Sequence, residues 1–562
     1  MEPIAHKPSI NREIFTISRD HVPVNRVSST FKDPIDNNDH VKSRRDGCLD
    51  NIFKGFSKFF FFRDKTSLAA FVGIIFIFSA ILSFFFLPEF ILSIIHKKII
   101  LKNGSEIYPN WKRLPVPLFN RFYFFNVLNP KEIENGAKPR LAEMGPFTYR
   151  LFLQKYDIHH FDNGTVSYRE KRVWKFMRNM SIADDTTLIT TLNTPLTMSL
   201  SWLSRGGPLI SGALRVLLEA TTASFFIKMP VKQLLFEGYS DHLTILAMAA
   251  RPEVETFYRG RFGYFYPKNN TDDGLYRVST GENDIRRLNR IESYNNLSHL
   301  KFWTSNECNN LRKSTKSETR APPGNETTEL HMFNAEICRV LRLVYQKSHR
   351  EKSDLLVRRF VLDPNTFKNF KDYPPNACYH VKRKRNSPVT VSFRSSIFER
   401  DPLPSGVIDI GPCKFNAPVF LSHPHFLNAD PIYRDSVTGM KPDPVNHTFW
   451  LDVEPTTGGS VQVAARIQLN IGIDSQSFIR YRYLPQIIFP ILWFEYRTQM
   501  TDELLDRLKL VQWLPKAIPM YISYLFLSLG CTMCIVCTFI RRNRILSTMK
   551  RAAVKLHLVR KK

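Results

Sequence analysis

Hydrophobic residues along this chain fall into two long unbroken runs and many short alternating ones. The runs lie near the ends: Thr66 to Leu87, TSLAAFVGIIFIFSAILSFFFL, and Ala517 to Ile540, AIPMYISYLFLSLGCTMCIVCTFI. Neither contains a charge, and each has the roughly 20 residues a helix needs to cross a bilayer's hydrocarbon layer. The first starts too far into the chain, and is too long, for a cleavable signal peptide. It reads as an uncleaved anchor. The pattern therefore predicts five segments: a disordered tail over 1–65, a transmembrane helix over 66–87, an outside domain over 88–516, a second transmembrane helix over 517–540 and a basic tail over 541–562.

Between the runs the pattern is mainly that of strands. From Val461 to Ile471, Val461, Val463, Ala465, Ile467, Leu469 and Ile471 alternate with Gln462, Ala464, Arg466, Gln468 and Asn470. A period of two predicts one face in a core and the other towards water. Thr165 to Phe176 and Pro388 to Phe393 are shorter runs of strand character, with DDG (Asp272 to Gly274) and TGG (Thr457 to Gly459) as turns. One region has helical spacing. Gly212 to Phe226 places Leu214, Leu217, Leu218 and Phe225 on one face, and Pro230 opens a second helix with Leu234 and Leu235 inward, stopped by Gly238.

Charge sets the orientation. Arg541, Arg542, Arg544, Lys550, Arg551, Lys555, Arg560, Lys561 and Lys562 follow the second run without one acid among them. By the positive-inside rule that end is cytoplasmic, and two spans then put both termini there. Seven glycosylation sequons, at Asn103, Asn163, Asn179, Asn269, Asn296, Asn325 and Asn446, all lie between the runs. The net charge is +28 with a pI near 9.8, yet the mean hydropathy of -0.23 is that of a largely soluble chain. Its basic residues are scattered and no nucleic-acid motif appears, so the partners expected are anionic headgroups and acidic ligands rather than nucleic acid.

Cys308, Cys338, Cys378 and Cys413 lie in the outside segment, an even number in an oxidising compartment, and admit three pairings. Cys531, Cys534 and Cys537 have the spacing of half a metal site but sit inside the second apolar run, where they read as a stripe of small residues. Cys537, one turn from Arg541, and Cys48 are candidates for palmitoylation. No nucleophile elbow, phosphate loop, zinc-protease helix or calcium loop is present. His423 and His425 flank Pro424 without a third ligand at a useful spacing, and Asp184 and Asp185 read as a turn or helix start. The expectation is a chain that is not an enzyme, with no metal and no cofactor.

A series of motifs runs between the two spans: NGSEIYPNW (Asn103 to Trp111), FNVLNP (Phe125 to Pro130), GAKPRLAEMGPFTYR (Gly136 to Arg150), YFYPKNNTDDGLYRV (Tyr264 to Val278), GVIDIGPC (Gly406 to Cys413), PHFLNADP (Pro424 to Pro431), LDVEPTTGGSVQVAARIQLNI (Leu451 to Ile471) and FPILWFEY (Phe489 to Tyr496). In this order it resembles the class B scavenger receptor family, from about Phe71 to Ile540. That family includes fatty-acid translocases, high-density-lipoprotein receptors, lysosomal integral membrane proteins and insect sensory neuron membrane proteins. The resemblance implies an α+β fold: a large antiparallel, barrel-like β ectodomain with a helical apex and an internal apolar tunnel, anchored by two transmembrane helices. It implies Cys308–Cys378 and Cys338–Cys413 bridges. It also implies capture of lipids, lipoproteins or other lipid carriers at the apex and passage of apolar ligand through the tunnel.

At the tip, lysines of lipoprotein-binding members are replaced by Glu219, Ala220, Thr221, Thr222 and Ala223, and the candidate ligand-binding residues are Arg215, Phe225, Phe226, Lys228 and Lys232. The departure argues against scavenging of anionic lipoproteins and leaves a neutral lipid, sterol or carotenoid as an equal expectation. The resemblance points to a receptor at the plasma membrane and is compatible with a homo-oligomer. The alternatives are an endosomal or lysosomal trafficking receptor for a lumenal protein, and a sensory co-receptor for apolar odorants. The C-terminal tail holds no acidic dileucine signal, which favours the surface.

A tag placed after Lys562 should be reached by antibody only once cells are permeabilised, and peptide-N-glycosidase should shorten the protein. A tag stained on intact cells would contradict the orientation.

Overall fold

A computed structural model describes residues 64–203, 224–240, 260–266, 268–316, 319–351, 354–382, 397–474, 481 and 483–559. They divide into two units: the stretch up to Ile77 together with that from Ser528, and Phe78–Leu527. The apolar runs are each part of a longer helix, α1 at Lys65–Lys98, and a 58-residue helix at Asp502–Val559. Both are long and apolar enough to cross a membrane. At about 1.5 Å per residue each exceeds the ~30 Å hydrocarbon layer. Phe84, Phe85, Phe86, Tyr521, Tyr524 and Phe539 are exposed along them, apolar surface of the kind a bilayer covers.

In the smaller unit the two helical segments meet through glycines. A Cβ on Gly73 would stand 2.9 Å from Cys534 Sγ and 3.0 Å from the Gly530 carbonyl oxygen, so the backbones approach as only small residues permit. Arg544 pairs with Asp64 at 2.9 Å and Arg541 donates to Ser67 Oγ at 2.7 Å. Cys537 is buried, Cys531 and Cys534 half-buried. Cys48 lies outside the described residues.

The larger unit is built on strands β1 (Leu118–Val127), β2 (Leu141–Phe161), β3 (Thr165–Phe176), β4 (Leu188–Leu192), β5 (Phe226–Pro230), β6 (Thr271–Ser279), β7 (Ile291–Tyr294), β8 (Glu329–Asn334), β9 (Arg339–Arg350), β10 (Leu356–Leu362), β11 (Ile408–Asp409), β12 (Val419–Ser422), β13 (Trp450–Val453), β14 (Ser460–Gly472) and β15 (Ile488–Gln499). The main sheet runs β7-β6-β3-β2-β1-β15-β14-β13-β10-β9-β8, with β12 and β11 branching from β14, and β4–β5 form a separate ribbon. The strand pairs are antiparallel. One extended segment joins the two edges. Ile291 N donates to the Ser314 carbonyl at 2.9 Å, Thr315 N to that of His331 at 2.9 Å, and Phe333 N to that of Thr315 at 3.0 Å. The edge strands thus share residues 314 and 315, which link the two ends of the sheet through hydrogen-bonded backbone.

Strand β14 corrects one expectation. Its polar face is not in water: Arg466, Gln468 and Asn470 are all buried. Loop 423–449 covers them. Arg466 donates to Glu495 at 2.9 Å and to the Val445 and Thr448 carbonyls, Gln468 Oε1 accepts from His425 N at 2.6 Å, and Asn470 donates to Ser422 Oγ at 3.1 Å. A period of two locates the faces but not what covers them. The helical expectation is corrected for its first helix only, the second following Pro230 as expected over 231–237. Phe226 begins β5 instead of ending a helix, and Pro230 closes that strand. The turn after it, Gln233–Glu237, is π-helical, with Leu234 and Leu235 buried and Gly238 stopping it at φ +68°. Residues 212–223 and the run Pro388 to Phe393 lie outside the described residues.

Gly439 (φ +101°) sits where a Cβ would run into the Leu141 carbonyl oxygen at the start of β2. Gly439→Ala should therefore cost about 3 kcal/mol or more, read as a lowered denaturation midpoint. An unchanged midpoint would contradict this packing.

Candidate functional site

In a closed ring, alternate side chains point inward. On β14 these are Val463, Ala465, Ile467, Leu469 and Ile471. Opposite them on β15 the register places Thr498 by Val463, Tyr496 by Ala465 and Phe494 by Ile467. All eight line a cavity of about 990 Å³. That volume is near the top of the ~300–1,000 Å³ range of small-molecule sites. The cavity's wall also includes Thr194 and Met198 of a second helix, α2 (Thr194–Leu203), with Phe262, Tyr264 and Phe265. The wall also takes in Ile91, Ile94 and Ile95 of α1, and Leu504, Leu508, Val511 and Leu514 of the C-terminal helix, α3 (Asp502–Val559).

Charges interrupt this apolar wall at one sector. The β2–β3 register sets Lys155 directly opposite Glu170, and Leu153 opposite Arg172. Glu170 is 1% exposed and holds Lys155 at 2.7 Å and Lys316 at 2.5 Å. Burial alone would raise its carboxyl, but the two ammonium groups outweigh that and hold it well below the usual range. Arg172 donates to Glu336 at 2.8 Å, and Lys268 pairs with the other Glu336 oxygen. Glu336 is likewise kept ionised against burial by Lys268 and Arg172. Asp273 lies 3.9 Å from Arg172 and accepts from the Tyr276 hydroxyl at 3.0 Å. Lys414 lines the same cavity, and burial lowers its amine to about 8.

One of the two disulfides borders this sector, Cys413 itself lining the cavity. Cys308 is joined to Cys378 and Cys338 to Cys413, with Cα atoms 6.0 and 6.3 Å apart. The second bridge ties Glu336, two residues before Cys338, to Lys414, the residue after Cys413. Nothing in the local sequence marks these charges as one group, because their partners lie far apart in the chain. One signal was available: Glu170 and Arg172 share strand parity with Val166, Tyr168 and Trp174, the apolar face of β3.

The residues named from the sequence scatter. Phe225 and Phe226 are buried, packed on Tyr481 and Phe489 with ring centroids 5.5 and 6.0 Å apart. Lys228 is exposed, and Lys232 is half-buried and pairs with Glu237 at 3.3 Å. Arg215 lies outside the described residues. Asn103, Asn163, Asn179, Asn296, Asn325 and Asn446 are exposed, while Asn269 is half-buried and accepts from Trp174 N at 3.0 Å. His425 Nδ1 accepts from Lys441 N, so its Nε2 donates to Glu143 at 2.6 Å; the ring stacks on His447 at 4.5 Å, and His423 packs on Phe367. Asp184 accepts from Thr186 N, and Asp185 from the Tyr149 hydroxyl. Among the described residues, His349, Glu351 and Asp452 are close enough to share a cation, but Arg359 already holds both Asp452 oxygens at 2.8 and 2.6 Å.

A large antiparallel sheet around a mainly apolar cavity, in a chain with two helices long and apolar enough to cross a membrane, is the architecture of a membrane protein with a ligand-sized interior. The sequence matches the CD36 family over residues 71–541, and the chain belongs to that family. It is 30% identical over 479 residues to scavenger receptor class B member 1 of Bos taurus, covering 84% of this chain and 89% of that protein. The Sus scrofa form is 31% identical over 473 residues, 84% of this chain and 88% of that one. Lysosome membrane protein 2 of Homo sapiens is 30% identical over 418 residues, 74% of this chain and 82% of that protein.

Glu170→Gln would leave Lys155 and Lys316 buried without their counter-ion and should cost about 3–5 kcal/mol at pH 7. The depressed folded-state carboxyl stabilises the protein above the unfolded value of ~4.3 and loses that contribution as pH falls. The gap between variant and wild type should therefore narrow below pH ~4, measured by denaturant titration. A gap independent of pH would contradict the pairing.

Proposed function

We propose that this chain is a cell-surface receptor that binds lipids or lipid-carrying particles and passes apolar cargo through the ectodomain cavity to the membrane. Both termini are then cytoplasmic and the larger unit faces outward. The observation that carries this reading is the cavity wall: it is mainly apolar and extends onto Ile91, Ile94 and Ile95 of α1 and Leu504, Leu508 and Val511 of α3, whose apolar runs suit a bilayer. A lipid chain exposed to water costs about 0.8 kcal/mol per CH₂, so a shielded route lowers the barrier to transfer without any energy input from the protein. In this reading the cavity belongs to a tunnel, and loading takes place at the end near α2. The similarity to scavenger receptor class B member 1 supports it.

A second reading, a trafficking receptor of endosomes or lysosomes, draws on the similarity to lysosome membrane protein 2. It places a lumenal protein, rather than a lipid, as the partner.

Ala465 is the smallest of the inward side chains on β14, and Ala465→Trp would fill the cavity at mid-wall. In cells with equal surface expression, this variant should take up labelled lipid severalfold more slowly than wild type. Undiminished uptake would overturn delivery through the cavity, whereas loss of lumenal-protein binding alone would favour the trafficking role.

A further inference from the structure

The charged sector of the cavity is not balanced by its own residues. Arg172, Lys268 and Lys414 face two carboxylates, Glu336 and Asp273. Glu336 is taken by Arg172 and Lys268, and Asp273 by Arg172 and Tyr276. The Lys414 ammonium has no hydrogen bond or ion pair among the described residues. Arg172, 8% exposed, keeps its Nε without an acceptor, a second donor an anion would satisfy. Buried polar groups in native proteins are normally paired, so a cluster of this kind on a cavity wall wants a ligand atom. The excess is positive, and the missing group is therefore an anion. Beside the sector the wall is apolar, with Leu153, Phe265 and Tyr496 near the charges and β14 beyond them.

We propose that this sector is the headgroup subsite of the cavity: a lipid oxyanion, carboxylate or phosphate, pairs with Lys414, while its chain lies along the apolar faces of β14 and β15. The Cys338–Cys413 bridge holds Lys414 in place for this. Glu336 keeps Arg172 and Lys268 from acting as a second strong site. The ligand is selected by head as well as by tail, and an amphiphile with a neutral head forgoes the contact. Burial also lowers the Lys414 amine to about 8, with Lys268, Glu336 and Arg172 facing it, so anion binding weakens as alkali removes its proton. This inference rests on the reading of the cavity as a lipid site.

The test uses the full chain in detergent, stripped of lipid, with three probes of one chain length: oleate, oleoyl lysophosphatidate and oleyl alcohol. Wild type should bind at least one anion more tightly than the alcohol, and the tighter of the two identifies the oxyanion. Lys414→Met should weaken that anion about tenfold or more and leave the alcohol unchanged. Lys414→Arg, which keeps the charge, should retain the preference, and Lys228→Ala, at an exposed lysine, should change nothing. Equal binding of anions and alcohol by wild type, or equal weakening of all three by Lys414→Met, would overturn the headgroup site while leaving the lipid cavity standing. Should Lys414→Met fail to fold, the wild-type ranking and Lys414→Arg decide. Binding of none of the three would remove the lipid reading and this inference with it.

Discussion

Closure of the sheet is the constraint from which the rest follows. Once residues 314 and 315 hydrogen-bond both β7 and β8, the strands of the main path send alternate side chains towards a shared interior. Among the described residues this segment links the two ends of the sheet, and no strand can slip by one residue without exchanging its faces. What lies inside is decided by parity. Where the inward residues are Val463, Ala465, Ile467, Leu469 and Ile471, the interior is apolar. Where they are Lys155, Glu170 and Arg172, it is charged.

The charged sector is expensive unless its geometry is good, since each ion gives up its hydration. Lys155 and Glu170 meet as a directly opposed cross-strand pair, and Lys316 arrives from the segment just after the closing residues. The same stretch of chain therefore joins the sheet edges and supplies a counter-charge. In the same sector the Cys338–Cys413 bridge brings Glu336 and Lys414 to the wall. Covalent and ionic restraints thus converge on one side of the cavity, and the aliphatic faces of β14 and β15 make up much of the rest. Such a division suits an amphiphile better than a wholly apolar molecule.

Much of the architecture was legible in the residues. The two apolar runs lie within the two long helices, the run Thr165 to Phe176 is β3 end to end, and the alternation from Val461 to Ile471 lies within β14. The family was legible too, because its motifs are spread over most of the chain. Less was visible wherever a distant segment decides the outcome. Arg466, Gln468 and Asn470 looked solvent-facing because loop 423–449 is not adjacent in sequence. Phe226 looked helical because its strand partner Leu192 stands 34 residues earlier. The polar sector stayed hidden for the same reason: Arg172 and Glu336 are 164 residues apart, and each alone reads as a surface charge.

The central claim is that the interior of the ring holds lipid. Native mass spectrometry of the intact chain, purified in mild detergent and released into the gas phase, tests it directly. The account predicts a bound lipid-sized mass that survives release from detergent and yields a long-chain species on extraction. A protein carrying only its glycans, with an empty interior however gently it is handled, would contradict it.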